Sequence, residues 1–262
     1  MTPLVFTWGR LASVAAVTAA LGVALAYVVP PGVGALGSRA RAIGVAILAV
    51  SVVAFWVLRG EEARLSRELR SARTGTPTLR EQALRRRRGA PFWSRWFSPT
   101  LGTAALLLAE GDAPNARVRF DASPWLFRFG TIARLAEIVE ADLDRAQGGA
   151  AALEDAIARL LKMPPLEHAE ADRYRVHVLV KAILEQGDVA VARALADELA
   201  LGPDEELRVY LVWLRAWFDL DHLPSPSEPE VRLARLLARS HGADELVAKL
   251  ERPLGLRATE GS

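Results

Sequence analysis

Arg173, His177 and Lys181 stand four residues apart, so on a helix they project from one face. Arg208 and Arg215 follow on the next predicted helix. Taken alone, the stripe reads as an exposed basic face balanced by acidic neighbours. Little other chemistry is on offer. Cysteine is absent, which excludes disulfides, thiolate metal sites and cysteine nucleophiles. The four histidines, His168, His177, His222 and His241, are not paired at i,i+3 or i,i+4 and form no H-E-x-x-H, so no zinc site is expected. A phosphate-binding G-x-x-x-x-G-K-[ST] loop and a G-x-S-x-G nucleophile elbow are missing. Glu140, Asp142 and Asp144 alternate without the later ligands of a calcium loop and read as a solvated helix face. The expectation is no catalytic residue, no metal, no cofactor and no enzyme.

The chain has 262 residues, 24% of them charged, yet its mean hydropathy is +0.15. This length holds one or two domains. Positive hydropathy at that charge content means that apolar residues are concentrated in one part. Charge is uneven as well. Residues 1–58 carry three arginines and no acid, and residues 59–88 carry ten arginines against four glutamates. With a total of +2, residues 89–262 are left at −7.

Two charge-free runs, 11–29 and 42–58, account for the hydropathy. At ~1.5 Å per residue the first covers roughly 28 Å, about one hydrocarbon core, and the second is at the short end of the spanning range. A Pro/Gly turn, "PPGVGALGS", separates them. Trp8, Tyr27, Phe55 and Trp56 fall near the run ends, where amphipathic rings favour the interface. Residues 1–59 therefore predict a two-helix transmembrane hairpin. A cleaved signal peptide fits less well, because the apolar core is too long. Arg59, Arg64, Arg67, Arg70 and Arg73 outweigh Arg39 and Arg41, so the positive-inside rule puts the N-terminus and the C-terminal domain in the cytoplasm.

Residues 60–98 form a basic, aromatic juxtamembrane segment. Residues 60–73 read as a helix with several Glu–Arg pairs, broken by "TGTPT", and a second helix, 79–88, ends in four arginines. Arg85, Arg86, Arg87 and Arg88 stand just before Trp93, Trp96 and Phe97. Beside a membrane such arginines meet anionic lipid headgroups, at ~1 kcal/mol each near the surface. The aromatics could insert next to them, or pack onto the following domain and leave the arginines solvated. Nucleic acid would use the same charges, but no binding motif accompanies them and the adjoining domain is acidic, so nucleic acid is not expected.

Residues 99–251 read as a helical domain, with 252–262 as a flexible tail. "ARVRFDAS" at 116–123 alternates like a strand and is assigned as a connector. Residues 131–164 and 170–203 repeat at an offset of 39. Gln147-Gly148 aligns with Gln186-Gly187 and Pro164 with Pro203, so each unit is helix, tight turn, helix, exit. Such units cannot bury their faces alone and stack on neighbours. A third first helix spans 204–220, and Ser227 with Glu230 forms a capping box ahead of the next helix. On that third helix Tyr210, Trp213 and Trp217 share a face, either as packing between helices or as an aromatic patch for a partner.

Residues 182–221, "AILEQGDVAVARALADELALGPDEELRVYLVWLRAWFDLD", resemble a tetratricopeptide repeat: a Gly-Asp turn opens the second helix, and Ala192 and Leu199 stand at its packing positions. The 39-residue period and the missing Trp-Leu-Gly-Tyr pattern depart from that family. The resemblance implies an all-α chain, a transmembrane hairpin followed by a tetratricopeptide-like solenoid. First helices would line a concave groove in which Arg173, His177, Lys181, Arg208 and Arg215 hold an acidic peptide or a C-terminal carboxylate. The layout is also similar to HemY-type proteins of the bacterial inner membrane. The expected function is a membrane-anchored adaptor for an unidentified partner protein. The alternative is an accessory subunit of a membrane complex bound through the hairpin, with self-association a further possibility.

Overall fold

In the computed structural model, which describes residues 17, 18, 20, 21, 24, 34–88, 101–122 and 131–252, every regular element is a helix. α1 (Gly34–Thr74) and α2 (Pro77–Arg88) form an N-terminal elbow. Its bend is made at Gly75, whose N–H donates to the Ser71 carbonyl at 2.9 Å. A Cβ at position 75 would sit 2.3 Å from that oxygen, so the bend requires glycine.

Helix hairpins follow in series. α3 (Leu101–Ala109) and α4 (Ala113–Asp121) form the first, α5 (Thr131–Gln147) and α6 (Ala150–Lys162) the second, and α7 (Ala169–Gln186) and α8 (Val189–Leu201) the third. After a 3-10 turn at Glu205–Leu207 come α9 (Arg208–Phe218) and α10 (Glu228–Ser240), and α11 (Asp244–Leu250) closes the series. The local chemistry explains the borders. Gly187 ends α7 at φ +80°, and Asp188 then caps α8 by accepting from the N–H groups of Ala190 and Val191. The Ser227–Glu230 capping box opens α10.

The first helices α3, α5, α7, α9 and α11 pack side by side in that order. Each second helix lies between two of them: α4 against α3 and α5, α6 against α5 and α7, α8 against α7 and α9, α10 against α9 and α11. α7 is the centre of this array. Tyr174, Val176, Val178, Leu179, Val180 and Ile183 are all buried, and a helix apolar on every side must be enclosed on every side. α1 completes the enclosure. Its C-terminal half packs on α3 and α7 and buries Leu65, Leu69 and Ala72.

The structure corrects three sequence expectations. First, residues 116–123 are not an extended connector, since 113–121 are helical. Asp112 accepts from the Asn115 N–H, Pro114 suits the first turn, and buried Ala113 and Ala116 give the helix a packing face that outweighs the alternation. Second, among the described residues no helix is long and apolar enough to cross a membrane, which overturns the transmembrane hairpin. Third, the integral-membrane location, with the N-terminus and C-terminal domain cytoplasmic, loses its basis with it. The run 42–58 is not a free-standing span. α1 already starts at Gly34, inside the stretch read as a turn, and continues to Thr74. The 17 charge-free residues 42–58 extend only about 25 Å, short of a core of roughly 30 Å, before arginine resumes. The run 11–29 lies almost wholly outside the described residues.

Replacing Leu69 by Ala empties a fully buried site between α1 and the hairpins, and a loss of about 2–4 kcal/mol is expected in urea unfolding. Val50→Ala, at a position 68% exposed on the same helix, should cost less than about 0.5 kcal/mol.

Candidate functional site

The last turns of α1 reach the first helices through charge. Arg73 has 2% of its side chain exposed, and its Nη2 donates to Glu206 at 2.5 Å and lies 3.5 Å from Glu170. Arg70 donates to the other oxygen of Glu170 at 2.6 Å. From α7, Arg173 grips Asp204 with two nitrogens, at 2.7 and 3.1 Å, and also donates to Glu206 and Glu170. Three arginines and three carboxylates thus form one network. Burial by itself would raise the Glu170 carboxyl, but the Arg70 hydrogen bond and the charges of Arg73 and Arg173 prevail and hold it below the ordinary range.

One turn further along α7 the chemistry becomes aromatic. His177 is buried among Tyr174, Tyr210, Trp213 and His241, its ring 4.8 Å from that of His241. Burial, then the charges of neighbouring groups, pushes His177 well below an ordinary histidine, so it is neutral, and its Nδ1 is hydrogen-bonded to the Tyr210 hydroxyl at 3.1 Å. Tyr174 donates to Asp142 at 2.8 Å, and Asp142 also accepts from Arg145. His241 donates from Nε2 to the Arg73 carbonyl at 2.7 Å. Its Nδ1 is then a buried lone pair with no hydrogen-bond partner among the described residues.

Beyond this cluster a cleft of about 620 Å³ opens, within the range of ligand sites. Arg145, Lys181, Glu185, His241 and Glu245 supply its charged and imidazole groups. Trp213, Trp217, Leu108 and Leu246 supply its apolar wall, with the Lys249 ammonium 4.7 Å over the Trp217 ring. The two acids nearest Lys181 are already engaged, since Asp142 and Glu185 both accept from Arg145. Lys181 itself makes no hydrogen bond or ion pair among the described residues. Burial, followed by the Arg145 charge, lowers its pKa.

The stripe predicted on α7 therefore divides into three fates. Arg173 is committed to carboxylates, His177 is a core group, and Lys181 faces the cleft. Arg208 and Arg215 are not brought to them. They line a smaller hollow of about 170 Å³ against the 223–226 loop, where Arg215 donates to the Leu223 carbonyl at 2.5 Å. Tyr210 and Trp213 are buried, the Trp213 indole donating to the Ala234 carbonyl, whereas Trp217 is half-buried at the cleft. Arg85 pairs with Glu81 at 2.7 Å, Arg86 is exposed and Arg87 half-buried. Arg88 ends α2, and Trp93, Trp96 and Phe97 lie outside the described residues.

Sequence reasoning missed Arg73, Arg145, Glu170, Glu206 and His241 as site groups. It also passed over residues 32–37, "GVGALG", which match the G-x-G-x-x-G spacing. That motif binds dinucleotides only between a strand and a helix, and the described residues contain no strand. Among the described residues no cluster of three His, Asp or Glu could hold a metal ion. Compared with protein-family models, curated proteins and solved structures, the chain matches none.

The buried histidines give stability a pH dependence. The His241 pKa is pushed down to about 4, by burial first and the Lys181 charge second, from an ordinary value of about 6.5. Between those values the unfolded chain holds the extra proton. Stability is therefore complete above about pH 6.5 and falls as pH drops towards 4, by roughly 2–3 kcal/mol for His241, with His177 adding in the same direction. Urea midpoints at about pH 7.5 and 5 read this loss, and His241→Asn should shrink the difference.

Proposed function

We propose that this chain is a tetratricopeptide-like adaptor, and that the cleft between the C-terminal ends of its first helices takes an acidic segment or the C-terminal carboxylate of a partner protein. The observation that carries this reading is Lys181. It is a cation without an ion-pair partner among the described residues, set in a cleft with an indole wall. A half-buried amine that lacks an ion-pair partner gains from an incoming carboxylate, which replaces lost hydration and favours its charged form. Trp217, half-buried at the cleft, provides the kind of aromatic anchor surface on which binding energy concentrates. The serial helix hairpins, each exposing one end of a first helix to the same cleft, favour a protein partner over a substrate to be transformed.

The reading has a direct test. Panning a random peptide library, including free C-termini, against the full-length protein should enrich sequences in which a carboxylate adjoins an apolar residue. Lys181→Glu should abolish the enrichment and Trp217→Ala should weaken binding of a selected peptide by about tenfold or more, a change of roughly 1.4 kcal/mol. Unchanged selection by the Lys181→Glu protein would contradict the proposal.

A further inference from the structure

α9 turns one face to the cleft, through Trp213 and Trp217, and the opposite face to the smaller hollow of about 170 Å³. Arg208, Leu211, Val212 and Arg215 stand at i, i+3, i+4 and i+7, so they form one stripe, apolar in the middle and cationic at both ends. The 223–226 loop and the first turn of α10 make the other wall. Leu223 and Pro226 are buried there, and Ser225 and Glu230 are half-buried.

The charges around this hollow do not meet one another. Arg208 is exposed and makes no hydrogen bond or ion pair among the described residues. Arg215 donates to the Leu223 carbonyl, a neutral group, and has no carboxylate partner among the described residues. Glu230 lines the same space, yet no ion pair joins it to either arginine. Its Oε2 completes the capping box by accepting from the Ser227 N–H and hydroxyl, at 2.7 and 2.8 Å. Its Oε1 accepts from no group among the described residues.

Opposite charges that share a small hollow without pairing leave room for a molecule that carries both. The hollow has the volume of about six waters at ~30 Å³ each, below the usual range for nucleotide- or drug-sized ligands. The forked guanidinium groups match a carboxylate. An ammonium needs acceptors, and Glu230 Oε1 and the second lone pair of the Leu223 carbonyl provide them. Between the charges, Leu211 and Val212 offer an apolar floor. We infer that this hollow binds a small aliphatic α-amino acid as its zwitterion, with the carboxylate on Arg208 and Arg215 and the ammonium on Glu230. A simple carboxylate would leave Glu230 facing a like charge, and inorganic phosphate would do so more strongly. The hollow is separate from the Lys181 cleft, so this inference and the peptide reading stand or fall independently.

Titration calorimetry of the full-length protein with leucine and with valine tests the inference. Saturable one-to-one binding is expected, with isocaproate, which is leucine without its ammonium, tenfold or more weaker than leucine. Arg208→Gln should weaken leucine binding tenfold or more and leave the thermal midpoint of the ligand-free protein unchanged, because Arg208 has no partner to lose. Glu230→Gln keeps a residue that serves in a capping box, and it should remove the preference for leucine over isocaproate. Absence of saturable binding by both amino acids into the millimolar range would overturn the inference. So would isocaproate binding as tightly as leucine, or undiminished binding by the Arg208→Gln protein.

Discussion

The guanidinium of Arg73 holds this architecture together. It sits with 2% of its side chain exposed at the point where α1 meets the 3-10 turn before α9, between Glu206 and Glu170. A buried charge is tolerable only when it is matched, and removing one member of such a pair costs about 3–5 kcal/mol. The residue is therefore less a source of stability than a condition on geometry. α1 can lie on α3 and α7 only where both carboxylates reach it. Directly past the end of α1, the chain bends at Gly75, and Arg80 repeats the device. It is buried, donates to Glu110 at the end of α3, to the Gly75 carbonyl, and at 2.7 Å to the Ser240 carbonyl at the end of α10. The elbow thus ties the first hairpin to the last.

That tie shapes the cleft. With α1 over α7, the half of α7 bearing Arg173 is sealed by the ion network, and its other end, with Lys181, stays open. The carbonyl of Arg73 fixes His241 by accepting its Nε2–H, which sets that ring as a neutral wall of the cleft. One elbow therefore closes part of a groove and finishes a cleft.

Local features of the fold were legible in the sequence. Gly148 and Gly187 at a spacing of 39 marked two equivalent turns, and Ser227 with Glu230 marked a helix start. These signals lie within a few residues, where turn and cap chemistry decides. The elbow was not legible, because its partners are distant: Arg70 meets Glu170 across 100 positions and Arg73 meets Glu206 across 133. Within the sequence these arginines could only look like charges flanking an apolar run. The apolar run itself was ambiguous for a related reason. Periodicity cannot separate a membrane span from the apolar portion of a longer helix, and in this 41-residue helix the apolar portion is not long enough to cross a membrane. For the candidate site, the i,i+4 stripe correctly put Arg173, His177 and Lys181 on one helix, but a helix enclosed on all sides gives each of them a different neighbour.

Amide hydrogen exchange of the full-length protein, read by mass spectrometry, tests the elbow most directly. If residues 65–74 are clamped to α3 and α7, their amides should be protected as strongly as those of 174–183. Replacing Arg73 by Gln should lower protection in both segments together. Fast exchange across 65–74 beside a protected α7, or an effect of the substitution confined to α1, would contradict the account.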